Sequence, residues 1–438
     1  MRKKLLCMAL MMSMTVGLLT GCGTSSKSAV KSGSDSKKNG PVEVEFWYSG
    51  GKTAVNVVAD IVDEFNKSQS DYKVKCVTQA DYDETYQKVQ AGIAGGTAPD
   101  IALLDVNSSR TLNQKKVLED ISTYTKDDSD FNKDDYLDVF LNQGVDDENK
   151  TFAIPAYGTT QVLYYNKKAF KNAGIKPESI KTWQDLADAS KKITEKNKGM
   201  TGWEPMWGKD NLVDAVLSNG GSLFSDDGKT VCVNSDAWVE VWDSFKKWIH
   251  DDKIMKIHSG GQGWEYWYTT IDDVLQNKAG GYTGSSGDQA DLDFSIVGAM
   301  QQPVFGNNAS APAAEAKNLV ILKNSSDEEK KGAYEFIKYF TTPENQAKWS
   351  METGYVAVRK STQDVKEFKD YTKKNPQALV PLQQASHGSV LPTDPTGGKI
   401  YDALKVAADK VEIEGVSAKD ALDEAQKTAE EAMSSVSK

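Results

Sequence analysis

An α/β architecture built on a parallel sheet is predicted by strand-like runs that alternate with helix-spaced ones, and by the loop signals that separate them. Val42–Tyr48 reads Val-Glu-Val-Glu-Phe-Trp-Tyr, which puts every second side chain on one face of a strand, and it ends at Ser49-Gly50-Gly51, a loop. Val55, Val58, Ile61, Val62 and Phe65 then recur at helical spacing. A second strand over Tyr72–Thr78 precedes a helix from about Tyr82 to Ile93, and Ile101–Leu104 is a short, fully apolar third strand.

Further along, Phe152-Ala153-Ile154-Pro155-Ala156 is a strand interrupted by proline, which lacks the N–H a central strand needs and therefore suits a crossover between domains. Val162–Tyr165 is again strand-like, and Thr182 is placed to cap a helix from Trp183 to Ile193. The apolar run Ala316–Leu322 leads through Asn324-Ser325-Ser326-Asp327 into an amphipathic helix ending at Phe340. Thr342 caps the next helix, with Pro343 at its first position. From Ile400 onward two amphipathic helices are split at Gly415, and Ser417 with Asp420 makes a capping-box pattern. No internal repeat is present.

The N-terminus carries Arg2, Lys3 and Lys4, then an apolar run from Leu5 to Leu19 that closes on Leu19-Thr20-Gly21-Cys22. Such a run falls short of the roughly twenty residues that span hydrocarbon, so residues 1–21 read as a secretory signal. The position of Cys22 resembles the bacterial lipoprotein signal, which implies lipid on Cys22. Residues 22–40 are Ser, Gly and Lys with little that is apolar, a flexible tether whose lysines are either solvated or drawn to an anionic bilayer. Removing 21 of 438 residues leaves 417, and losing three positive charges takes the formal net charge from -11 to -14. An acidic body argues against nucleic acid as partner.

Of four cysteines, Cys7 leaves with the signal and Cys22 takes lipid. Cys76 and Cys232 sit in apolar runs and read as small buried hydrophobes rather than a disulfide. No zinc-ligand spacing exists, and the acidic runs Lys126–Asp130 and Asp146–Glu148 do not fit a calcium loop. Three scattered histidines, His250, His258 and His387, give histidine-based catalysis little material. No metal, cofactor or catalytic residue is expected.

Five motifs in order then give a family resemblance. Phe46-Trp47-Tyr48-Ser49, the run Gly92–Ile101 with Ala98-Pro99-Asp100, Ile154-Pro155 followed by Leu163-Tyr164-Tyr165-Asn166-Lys167, Lys181-Thr182-Trp183, and Thr342-Pro343-Glu344-Asn345 together resemble the extracellular solute-binding proteins of carbohydrate ABC importers. Within these the sequence is most similar to glycerol-3-phosphate-binding proteins and their sugar-binding relatives. The resemblance implies a two-lobed periplasmic-binding-protein-like fold of type II. Each lobe is then a mostly parallel sheet flanked by helices, the two joined by a strand hinge with the ligand cleft between them. Lobe one is expected over 41–155 and 314–360, lobe two over 156–313 and 361–438. It further implies a monomer that meets the membrane subunits of a permease.

Candidate ligand residues follow from the same resemblance and from chemistry. Tyr48 falls in the first motif. Tyr82 stands at the spacing of the family's ligand tyrosine, Gly284-Ser285-Ser286-Gly287 resembles its serine loop, Gly202-Trp203 with Trp207 its paired tryptophans, and Thr353-Gly354-Tyr355 its tyrosine contact. Sugars present apolar faces ringed by hydroxyls, so aromatic platforms and fixed polar groups are wanted. Ten tryptophans supply the first. Trp264 and Trp267 follow a glycine-rich segment and stand between stacking and packing roles, whereas Trp238, Trp242 and Trp248 share a helical face and read as core. Asp105, at the carboxyl end of a strand, serves either a sugar or the cap of the next helix, with Asn107 on the same loop. Thr159 and Thr160 follow the hinge proline. Two departures stand out: Leu391-Pro392-Thr393-Asp394-Pro395 holds no basic residue where the family keeps its phosphate-binding arginine, and Glu315-Ala316 replaces paired glycines. Without a guanidinium a phosphate loses its bidentate partner, which points to a neutral sugar, with glycerol phosphate the alternative. A glycan-cleaving enzyme, the rival of another class, needs two carboxylates about 5–9 Å apart, and nothing in the sequence marks such a pair.

Overall fold

The computed structural model describes residues 40–436; the expected signal, Cys22 and nearly all of the tether lie outside the described residues. β1 (Val42–Tyr48), α1 (Lys52–Ser68), β2 (Tyr72–Thr78), α2 (Tyr82–Gly95), β3 (Ile101–Leu104) and α3 (Val106–Gln114) open the chain, with the three strands at their expected bounds. β1 pairs in parallel with β2 and β3. On α1 the buried stripe is Ala54, Val57, Val58, Ile61, Val62 and Phe65, the apolar face packed under the sheet.

The remaining strands are β4 (Ile154–Asn166), β5 (Glu204–Pro205), β6 (Gly281–Ser285), β7 (Val297–Met300) and β8 (Ala314–Ile321). They complete one mixed sheet in the order β2-β1-β3-β8-β4-β6-β5, with β7 also on β4. The parallel pairing expected of both lobes holds for β1–β3. In the second lobe β4 pairs antiparallel with β6 and β7, and only β5–β6 is parallel.

β4 joins the lobes. Its first half pairs with β8, from Ile154↔Leu319 to Thr160↔Ala314, and its second half pairs with β6 from Gln161↔Ser285. The two segments read separately in the sequence are therefore one strand, with a bulge between Pro155 and Tyr157 that absorbs the missing proline N–H. The passage between lobes falls at Thr160–Gln161 rather than at Pro155. A second falls before Ala314, and a third beside it, where Ala313 bridges Ser389. The expected boundary after residue 360 also moves: the Lys366–Lys374 helix packs on the Pro343–Thr353 helix, and Ala385 belongs to the first lobe's core.

Each lobe has its own core on either side of its sheet. The first is built around Phe46, Ile61, Phe336 and Trp349, the second around Trp183, Trp203, Trp238, Trp242 and Leu404. Trp238, Trp242 and Trp248 are buried there, as their helical spacing predicts. Expected caps form: Thr182 and Asp185 make a capping box, and Thr342 accepts from Asn345 N with Pro343 following it. Cys76 and Cys232 are free and half-buried. Among the described residues no helix is long and apolar enough to cross a membrane.

Candidate ligand-binding cleft

Between the lobes lies a cavity of about 370 Å³, within the size range of small-molecule sites. Its floor is the middle of β4. Thr160 is fully committed there, donating from Oγ1 to the Ala313 carbonyl at 2.8 Å and accepting from Gln384 Nε2 at 2.7 Å. Thr159 Oγ1 faces Ser285 Oγ at 3.3 Å. Ser285 ends β6, and its Oγ accepts from Gly287 N at 3.1 Å. Gly287 is required by packing, since a Cβ there would lie 2.2 Å from the Tyr355 ring.

The first lobe contributes Tyr82, which opens α2 just after its cap Asp81. The Tyr82 and Tyr157 hydroxyls share a 2.7 Å hydrogen bond, and Tyr157 in turn lies against Tyr355 with ring centroids 4.6 Å apart. Burial pushes the Tyr82 hydroxyl up to about 12, so it acts as a neutral donor and acceptor. The second lobe supplies an aromatic wall. Trp207 meets Tyr266 edge-on at 5.0 Å and donates from Nε1 to Asp409 Oδ1 at 2.8 Å. Trp267 donates from Nε1 to Asp288 Oδ1 at 2.8 Å, and Trp264, 37 % exposed, stands edge-on to it.

Two lysines enter the cavity, and each has a carboxylate beside it: Lys209 pairs with Asp210, and Lys317 Nζ lies 3.5 Å from Glu315 and 4.8 Å from the Tyr82 ring centroid. Two further carboxyls are held neutral. Burial raises Asp214 and Asp288 to about 8, although Gln302 Nε2 and Ala313 N donate to the first and Trp267 and Tyr282 to the second. The folded chain therefore retains a proton on Asp288 that the unfolded chain has lost. This favours folding fully below the ordinary carboxylate range and less and less as pH rises towards 8. We expect Tm of the ligand-free protein to fall less between pH 5 and pH 9 in Asp288→Asn, whose amide oxygen accepts from Trp267 while its NH2 donates to the Tyr282 hydroxyl, than in the parent; equal slopes in thermal melts would remove Asp288 as the cause.

Of the residues singled out in the sequence, Tyr82, Thr159, Thr160, Trp207, Trp264, Trp267, Ser285 and Tyr355 line this cavity. The others do not. Tyr48 is buried in the first core against Phe46 and donates to the Val55 carbonyl at 3.3 Å. Trp203 is buried in the second core, with Nε1 donating to Thr283 Oγ1 at 3.0 Å. Asp105 caps α3, accepting from Ser108 N at 2.9 Å and from Ser108 Oγ at 2.6 Å, while Asn107 lies within that helix. Ser286 is fully buried, its Oγ 3.5 Å from Thr159 Oγ1. Lining residues not anticipated as ligand groups include Asp210, Tyr266, Asp288, Glu315 and Tyr401. A signal did exist for Tyr266, flanked by Trp264 and Trp267 on the same short stretch. Asp288 follows the serine loop directly, yet a lone acid there reads as an ordinary turn residue.

Two lobes on a continuous strand, with an aromatic and carboxylate-rich cavity where they meet, define a ligand-capturing protein. A family model of the bacterial extracellular solute-binding proteins matches residues 60–377, and the chain belongs to that family. It is 26 % identical over 374 residues to the sn-glycerol-3-phosphate-binding periplasmic protein UgpB of Yersinia pestis bv. Antiqua, covering 80 % of this chain and 82 % of the relative. UgpB from Mycobacterium tuberculosis, solved with glycerophosphocholine, superposes with a TM-score of 0.78 at 21 % identity, over 90 % of this chain and 99 % of that one. The substrate-binding protein Lmo0181 from Listeria monocytogenes, solved with cycloalternan, gives 0.78 at 21 % identity over the same shares. These solved structures establish the two-lobed fold.

Proposed function

We propose that the chain captures a neutral sugar or oligosaccharide in this cleft and delivers it to the membrane subunits of an ABC importer, held at the outer face of a Gram-positive membrane by lipid on Cys22. The observation that carries the ligand class is the pairing of aromatic surfaces (Trp207, Tyr266, Trp267, Tyr355) with acids that accept hydrogen bonds from hydroxyls. Flat rings suit the apolar faces of a sugar, and Asp210 and Glu315 suit its rim. The cleft has no surplus cation, because Lys209 and Lys317 are each neutralised by a neighbouring carboxylate. Ligand bridging the lobes favours the closed form by its extra contacts there, and that form is the one presented to the permease.

One observation favours a glycerol phosphate or glycerophosphodiester instead. Arg110, on α3, donates from Nη1 to the Leu391 carbonyl at 3.3 Å, which brings a guanidinium to the stretch that holds no basic residue of its own. A thermal-shift screen and isothermal titration with mono- and oligosaccharides, glycerol 3-phosphate and glycerophosphocholine separate the two. A sugar at a hundredfold excess over Kd is expected to stabilise the fold by about 2.7 kcal/mol. Tight binding of the phosphates alone would overturn the neutral-sugar reading, and release of shortened products would overturn capture without cleavage. For the anchor, Cys22→Ser is expected to move the protein from the membrane fraction to the medium.

A further inference from the structure

The second lobe holds three metal-ligating side chains that ligand capture does not use. Glu204 lies on β5, His258 in the loop that follows Met255, and Asp273 on the Glu265–Leu275 helix. His258 Nε2 is 2.9 Å from Asp273 Oδ2 and 3.5 Å from Glu204 Oε2, and one ligand atom from each residue lies within 4.8 Å of the others. Zinc-class ions bind imidazole nitrogen and carboxylate oxygen at about 2.0–2.2 Å, which sets neighbouring ligand atoms about 3–3.5 Å apart. The two spacings from His258 are close to those of neighbouring ligands in such a coordination sphere.

Glu204 supplies an independent sign. Its side chain is fully buried, and neither of its carboxylate oxygens makes a hydrogen bond. A buried carboxyl without a close donor recovers little for its lost hydration, and such groups neutralise, pair or coordinate. The nearest cation is Lys256. Its Nζ lies 3.8 Å from Glu204 Oε1, 3.4 Å from Asp273 Oδ2 and 3.1 Å from His258 Nε2. The ammonium's three donors reach His258 and Asp273 but stop 3.8 Å short of Glu204, so it neutralises the cluster without a hydrogen bond to the buried carboxyl. Lys256 is about half exposed on a flexible stem, free to swing into solvent. Lys278, 3.3 Å from Asp273 Oδ1, is similarly exposed and stays outside the triad.

We propose that Glu204, His258 and Asp273 bind one zinc-class dication that displaces the Lys256 ammonium. The ligands are far apart in the sequence, which is why no metal spacing was visible there. Their placement gives the ion a task. Glu204 lies three residues before Trp207, and Asp273 sits on the helix that carries Tyr266 and Trp267. The ion fastens together the two elements that form the aromatic wall, along with the loop that runs through Gly260, Gly261 and Gly263.

The test is made on protein stripped with a chelator and then titrated with ZnCl2, reading heat, bound zinc and Tm in the absence of sugar. These readings do not depend on which ligand the cleft takes. Binding of about one Zn2+ per chain is expected, with a Tm rise of about 3 °C or more at a hundredfold excess over Kd. Both are expected to disappear in His258→Ala and in Glu204→Gln, while Lys256→Ala lowers the Kd. Should Glu204→Gln fail to fold in chelator, Asp273→Asn takes its place. Absence of zinc binding, or a zinc-dependent shift that survives in the ligand variants, overturns the site.

Discussion

Trp207→Ala is expected to weaken ligand binding by about thirtyfold or more, the size of effect that follows from removing a central aromatic contact worth about 2 kcal/mol. Trp207 stands half-buried on the cavity wall, braced edge-on by Tyr266 and fixed by Asp409. Deleting the indole leaves Asp409 able to reach water, so the folded state is expected to lose little. Isothermal titration checks the affinity and denaturant melts the stability. Binding as tight as that of the parent would remove Trp207 from the proposed site.

Trp203→Ala is expected to do the reverse. Its indole is fully buried and lies where a side chain at Gly281 would come within 2.1 Å of the ring. Truncating a buried tryptophan costs about 3–5 kcal/mol in lost transfer energy and residual cavity, and Thr283 Oγ1 also loses its donor. A lowered denaturation midpoint with little change in the affinity of the surviving folded protein is the expected pattern. Weakened binding at unchanged stability would invert the roles assigned to the two tryptophans.

These two residues show where sequence reasoning stops. Both sit near glycine and proline, and both match the family's paired tryptophans, yet β5 pairs with β6, and Trp203, one residue before β5, is held inside by its bridge to Met255 and its bond to Thr283. Long-range pairing of so short a strand leaves no local pattern. The same limit left Glu315 visible only as a departure from paired glycines, because its place on the cleft side of β8 is set by long-range pairing with Thr159 of β4. By contrast, β1, β2 and β3 were legible to the residue because alternation and bounding loops are local properties. Tyr48 was misassigned because a residue at a strand end belongs to core or cleft according to the helix that packs beside it, here α1 through the Val55 carbonyl.

Because β4 continues as one strand from Ile154 to Asn166, one of the three links between the lobes is a torsion bar, its sheet partner changing at Thr160–Gln161. Opening winds the bar instead of unfolding a loop, and the arc travelled grows with distance from it. Groups at that change of partner hold a ligand almost equally in either posture and so contribute grip without discrimination. Under the proposed capture, discrimination between the two postures then rests on groups away from this strand, such as the exposed Trp264.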